Sequence, residues 1–179
     1  QTFYPTAVLH KENSEKIRVI MLARVRPDIT YKIRPDLMSA ETPSIWIEAE
    51  TSTKVRYLIG GFYREWDHDG NTSVQGQVSR MEIFADQIES ACNECKRVII
   101  AGDANLCSES WNTEGYKHRR IADVLRKTLT SNNLEVQTFG HTYFANHANV
   151  DVVYASSALD HAYVSSACTI INAKKLPNS

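Results

Sequence analysis

The 179-residue sequence predicts a single α/β sandwich built around a mixed, mostly antiparallel sheet. Three observations carry that expectation. Strand-like segments come in pairs with no helix between them, two amphipathic helices each lead back into an extended run, and no repeat, low-complexity tract or linker divides the chain. A parallel doubly wound sheet would need a helix after each strand, and this order lacks them.

Ile17 to Val25 (IRVIMLARV) is rich in β-branched and apolar residues and reads as a strand that Pro27 closes. Ser44 to Glu50 (SIWIEAE) sets Ile45, Ile47 and Ala49 against Trp46, Glu48 and Glu50, the alternation of a half-buried strand. After the polar turn Thr51-Ser52-Thr53-Lys54, Val55 to Tyr63 (VRYLIGGFY) completes an antiparallel hairpin. The polar loop Asp67 to Ser73 then enters a helix over Gln75 to Cys95. There Val78, Met81, Phe84, Ala85, Ile88, Ala91, Cys92 and Cys95 form one apolar stripe. A strand over Val98 to Ala101 follows, then a helix over Arg119 to Thr130 with Ile121, Val124, Leu125 and Leu129 turned inward. Ser131-Asn132-Asn133 stops that helix, and Leu134 to Val136 is extended. Short strands are expected at His141 to Phe144, Val150 to Tyr154, Leu159 to Ser165 and Thr169 to Ala173.

Composition narrows the function. The chain is 42% hydrophobic and 23% charged, and no apolar run approaches the roughly 20 residues of a membrane span. Twenty basic and 21 acidic residues leave a net charge of -1, which argues against a protein that coats nucleic acid non-specifically. A local basic rim is still permitted; Lys117-His118-Arg119-Arg120 is a candidate, although a solvated helix start is the favoured reading of it. Cys92 and Cys95 form a lone CxxC with no second pair downstream, so buried free cysteines are expected rather than a zinc or redox site. Without a disulfide framework, a reducing intracellular setting follows. His141 and His147 are not read as a metal pair. The chain opens on Gln1, which reads as an internal cut.

The chemistry concentrates where strands end. Arg97 to Asn105 (RVIIAGDAN) is an apolar strand that stops at Gly102 and then presents Asp103 and Asn105. The glycine allows a turn or the close approach of a ligand. Asp103 can act as a base or orient a water, and the Asn105 amide can hold a substrate oxygen. Tyr63-Arg64 and Leu159-Asp160-His161 are two more polar strand ends. Phosphodiester cleavage needs such a set: an oriented water, donors for a phosphate oxygen, and an acid or metal at the leaving oxygen. Asp103 would serve the water, Asn105 and Tyr63 the phosphate, and Asp160 would orient an imidazole. Asp103, Tyr63 and Asp160 also have plainer readings: a loop acid, a packed ring with a wet hydroxyl, and a helix or turn cap. Trp46, Trp66 and Trp111 are read as core or rim packing, with base stacking a lesser option for Trp66 and Trp111.

In order along the chain, FYREW (Phe62 to Trp66), the long helix, IIAGDANLC (Ile99 to Cys107), GHTYF (Gly140 to Phe144) and SALDHAYVS (Ser157 to Ser165) resemble the endonuclease/exonuclease/phosphatase superfamily. Within it they are most similar to the apurinic-type endonuclease domain of non-LTR retrotransposon polyproteins, from about Arg34 to the C-terminus. The resemblance implies a four-layer α/β/β/α sandwich, dependence on Mg²⁺ (or Mn²⁺), a DNA substrate nicked to prime reverse transcription, and a nuclear location. It assigns Tyr63 to phosphate contact, Asp103 to water activation, Asn105 to substrate holding and Asp160 to orientation of the catalytic histidine. His161 stands where the family has an aromatic or histidine and is not that imidazole.

Three of the family's features are expected to lie outside this sequence. The asparagine of its first strand and its metal-binding glutamate belong upstream of anything here, and Glu12 and Glu15 do not replace the glutamate; its Ser-Asp-His motif would follow where this chain stops. Residues 1–179 are therefore expected to form one truncated domain. Exposed sheet edges would then be covered by the rest of a polyprotein or by another chain. The leading expectation is a metal-dependent DNA-nicking domain. The alternatives are a catalytically silent remnant that acts through binding or assembly, and a phosphatase for small phosphoesters.

Overall fold

The computed structural model describes residues 3–10, 17–39, 41–42, 44–65, 73–139, 143–145 and 155–169. Six strands form the main sheet: β3 (Ile29–Ile33), β4 (Ser44–Thr51), β5 (Arg56–Tyr63), β6 (Val98–Asp103), β7 (Leu134–Thr138) and β10 (Asp160–Ser165). Their order is β3-β4-β5-β6-β10-β7, so the last strand is inserted between β6 and β7. Only β5 and β6 run parallel among these pairs, joined by α1 (Val74–Glu94). The remaining neighbours are antiparallel, as the paired strand segments predict. β1 (Phe3–His10) and β2 (Ile17–Arg24) make a second, antiparallel sheet; β8 (Tyr143–Ala145) and β9 (Ala155–Ser157) make a third small pair.

Both helices cover one face of the main sheet. Ser73 caps α1, its hydroxyl accepting the Gly76 N–H at 3.1 Å. The apolar stripe then buries Val78, Met81, Phe84, Ile88 and Ala91 against Trp46, Leu58, Phe62, Val98 and Ile100. α2 (Arg119–Ser131) adds Ile121, Ala122, Leu125 and Leu129 to the same core. On the opposite face β2 lays Val19 and Met21 against Ile45, Ile47 and Ile59. Among the described residues, helices, large sheet and small sheet supply three of the expected four layers. The outer side of β2 carries Ile20 and Leu22, 49% and 53% exposed.

The structure departs from the sequence expectations at several points. Local pattern does not predict β1 or β3. The β4 alternation suggests a half-buried strand, yet Trp46 is fully buried beneath the helices, its ring against the bare backbone of its cross-strand partner Gly60. Its indole N–H donates to Gln87 Oε1 (3.3 Å), which also accepts from the Ser44 hydroxyl (2.7 Å). One buried amide in α1 thereby satisfies two polar groups of β4. Both CxxC cysteines are free: Cys95 is buried at the α1 C-cap, while Cys92 is only half-buried. Gly140 to Thr142, His147 and the expected strand at Val150 to Tyr154 lie outside the described residues, as do Glu12, Glu15, Trp66 and nearly all of Thr169 to Ala173.

Candidate active site

The strand that carries Asp103 is longer than its apolar run. β6 extends through Gly102 to Asp103, so the acid is the last residue of a strand rather than the first of a loop. Gly102 is needed for a reason other than a turn or a ligand. A Cβ there would lie 1.9 Å from the Phe62 carbonyl oxygen and 2.7 Å from its ring. What approaches Gly102 is the neighbouring strand itself.

Register brings three of the four sequence-predicted residues into one row. Tyr63 is the partner of Asp103 across β5–β6, and Asp160 is its partner across β6–β10. Residues directly opposite each other share a face of the sheet. Alternation puts this row on the side of Gly61, which faces Val19 and Met21 of the smaller sheet. Insertion of β10 is what sets Asp160 beside Asp103.

Asn105, the fourth residue, sits just beyond the strand with φ +47°, a left-handed conformation that asparagine tolerates better than most residues. Its backbone N–H donates to Asp103 Oδ1 at 2.8 Å, and its Nδ2 donates to the Arg64 carbonyl at 2.6 Å. Arg64 answers from the end of β5. Its Nε donates to the Ala104 carbonyl (2.7 Å), one terminal nitrogen to the Asn105 carbonyl (2.7 Å) and the other to Gln77 Oε1 (3.0 Å). Its backbone N–H donates to the Asp103 carbonyl. On the other side the Ala104 N–H donates to the Leu159 carbonyl at 2.9 Å, while Ala104 and Leu106 are fully buried. The turn that holds Asp103 and Asn105 is therefore stitched to β5, α1 and the start of β10.

Electrostatics sets Asp103 apart. Burial pushes its carboxyl above the usual range and the charge of Asp160 adds to the shift, against the Asn105 N–H and the Arg64 cation. An acid tuned upward by burial and a like charge is the pattern of a proton-handling group.

His161 takes no part in the row. It is 1% exposed, with Nδ1 2.8 Å from the Tyr163 hydroxyl and Nε2 3.1 Å from the Ala158 carbonyl. An Nε2–H donor and an Nδ1 acceptor satisfy both contacts, so the neutral ring suits the site, and burial holds its pKa down. Trp111 is buried edge-on to His161, with centroids 5.2 Å apart, and serves packing. In the basic run Arg120 donates to Gln75 Oε1 at 3.0 Å and Arg119 faces Asp123 at 3.8 Å. Burial pushes the Cys92 thiol up to about 11, which disfavours the thiolate that a metal or redox role would require.

The endonuclease-reverse transcriptase family matches residues 61–175, more than half of the sequence, including Tyr63, Asp103, Asn105 and Asp160. The chain belongs to the endonuclease-reverse transcriptase family. Among solved structures, this chain is similar to the endonuclease domain of TRAS1, a telomere-specific non-LTR retrotransposon. The TM-score is 0.64 at 17% identity, over 93% of this chain and 67% of that one. That likeness establishes the fold. No curated protein matches the sequence.

The contacts of Arg64 with the Asp103–Asn105 turn and with Gln77 were not foreseen from sequence. Arg64 was visible as a polar strand end, but its reach to residues 104 and 105 depends on β5 and β6 being neighbours, which no local pattern encodes.

Proposed function

We propose that this chain is the DNA-nicking endonuclease module of a retrotransposon-type reverse transcriptase polyprotein, hydrolysing a phosphodiester bond. The single observation that carries the reading is the row Tyr63–Asp103–Asp160, with the upward-shifted Asp103 carboxyl at its centre. In this reading Asp103 orients and deprotonates the attacking water. Once ionised, it accepts the proton while its other contact, the Asn105 N–H, keeps the carboxylate in place. Asn105 Nδ2 carries two N–H groups. One goes to the Arg64 carbonyl and fixes the amide plane; the second meets a phosphate oxygen. The Tyr63 hydroxyl donates to the same phosphate, and Asp160 supports Asp103 from the next strand and orients an imidazole supplied from outside the described residues.

Divalent-metal dependence is general for this fold family. The residues present meet it only in part. Asp103 and Asp160 offer carboxylate oxygens side by side, but no group of three metal-ligating side chains converges among the described residues. The steps above are accordingly those of the chain's own side chains. The same observation favours the second reading, a catalytically silent module that contributes by binding or assembly. A DNA substrate, polyprotein partners and a nuclear setting belong to the proposal; no described helix is long and apolar enough to cross a membrane.

Supercoiled plasmid incubated with the chain and Mg²⁺ tests the choice. Conversion to open circles that EDTA abolishes and Asp103→Ala removes supports the endonuclease. Plasmid left intact at high protein concentration supports the silent module.

A further inference from the structure

Arg18 is the second residue of β2, on the smaller sheet, and lies outside the row of strand-end groups. Its guanidinium carbon lies 5.8 Å from the centroid of the Tyr63 ring, and its Nε lies 3.1 Å from Glu65 Oε1. The two ion-pair side chains are only 21% and 15% exposed, so this pair is far better shielded than a typical surface bridge. Tyr63 ends β5 and Glu65 lies two residues beyond it, while Arg18 arrives from a different layer. One planar cation thus bears on both at once.

We propose that Arg18 is a positioning residue for Tyr63, fixing the ring so that its hydroxyl meets the phosphodiester. The inference rests on the reading of Tyr63 as a phosphate-holding group. A tyrosine at a strand end can swing about χ1 and carry its hydroxyl several ångströms, to the order of the ring's own length. A cation within about 6 Å of the ring face holds the ring against that motion. The Glu65 carboxylate draws the guanidinium to this place by charge, at 3.1 Å. Arginine suits the arrangement. Its broad, flat cation lies beside a carboxylate and against an aromatic ring at the same time; a lysine ammonium is a point charge and does one or the other.

The experiment compares wild type, Arg18→Lys, Arg18→Met, Tyr63→Phe and the double variant Arg18→Met/Tyr63→Phe in plasmid nicking with Mg²⁺. Each single variant is expected to raise KM by about 5-fold with little change in kcat, and the lysine variant not to recover the loss. The double variant should be no worse than Tyr63→Phe alone, because Arg18 acts through the hydroxyl that variant lacks. Effects that multiply in the double variant, or full recovery by lysine, overturn the proposal and leave Arg18 as a staple between sheets. A wild type that does not nick overturns the endonuclease reading instead. The Arg18 placement is then decided by the ¹⁵Nε–H resonance of Arg18. It must lie shifted by the Tyr63 ring and move in Tyr63→Leu; an unmoved resonance overturns it.

Discussion

Asp160 stands directly opposite Asp103 across the antiparallel β6–β10 pair. Burial pushes the Asp103 carboxyl up and its cross-strand neighbour adds to the shift, so folding opposes ionisation of this group. A folded pKa above the unfolded one contributes stability that is present below the unfolded carboxyl value, about 3.9, and is lost as pH rises through the folded value.

Asp103→Asn is therefore expected to raise the thermal midpoint at pH 7, with the gain vanishing near pH 3. The amide oxygen still accepts the Asn105 N–H, so the turn survives. Nicking should fall by about 100-fold or more for loss of a general base. Thermal melts at the two pH values, with nicking rates on the same preparations, check this; an unchanged midpoint at pH 7 contradicts it.

His161 titrates in the opposite sense. Burial lowers its folded pKa, so its contribution to stability is present above the unfolded value of about 6.5 and is lost as pH falls through the folded one. Urea midpoints should drop between pH 7 and pH 5 in the wild type and drop less in His161→Leu. That variant leaves the Tyr163 hydroxyl without its partner and should cost about 1–3 kcal/mol at pH 7.

At Gly102 the added methyl of Gly102→Ala meets backbone, not a movable side chain. The strands must separate, with an expected loss of about 3 kcal/mol, at the upper end for overpacking. A Cβ on Gly115 would meet nothing within 4 Å, but the residue has a φ of +80°, so Gly115→Ala should cost only about 1 kcal/mol from backbone strain. Denaturant unfolding of both variants measures the contrast.

Arg64→Lys removes a fork that spans two carbonyls and Gln77. The Asp103–Asn105 turn should loosen. Single-turnover nicking should slow by about 10–100-fold, the usual consequence of misplacing a reacting group, while affinity for a duplex stays within a few-fold. Equal losses in affinity and rate would show that Arg64 binds substrate directly.

Arg34 is the hub of a charge network at the far end of the main sheet. It donates to Asp36, Glu48 and Glu94, and Arg56 bridges Glu48 and Glu94. The two arginines also offset a carboxylate at the C-terminus of α1, where the helix dipole disfavours it. Arg34→Met should cost about 2 kcal/mol, discounted for the partly exposed carboxylates it leaves behind. Glu94→Gln should cost less, since Arg34 keeps two partners. Denaturation curves check both, and nicking by each folded variant should be unchanged.

Much of this protein could be read from local pattern. The three- and four-residue spacing of Val78, Met81, Phe84, Ile88 and Ala91 marks the buried side of α1 because 3.6 residues make a turn. The β4–β5 hairpin follows from two alternating runs across a short polar turn. Asp103 stands out because an apolar strand ends on it. By contrast, the full burial of Trp46 needed the Gln87 amide from another element, and the shallow patterns of β1 and β3 gave no comparable signal.

The sequence by itself determined β2, the β4–β5 hairpin, β6, both helices with the faces they bury, and the identities of Tyr63, Asp103, Asn105 and Asp160 as groups at or just past strand ends, since periodicity and turn chemistry are local. Only the tertiary structure decided that β10 enters between β6 and β7, that Asp160 thereby shifts Asp103, that Arg64 clamps the turn and that Arg18 reaches Tyr63 from a second sheet. Those relationships depend on which strand edges pair and which faces stack, and hydrogen bonds and burial between distant segments choose among partners that look equivalent in the sequence.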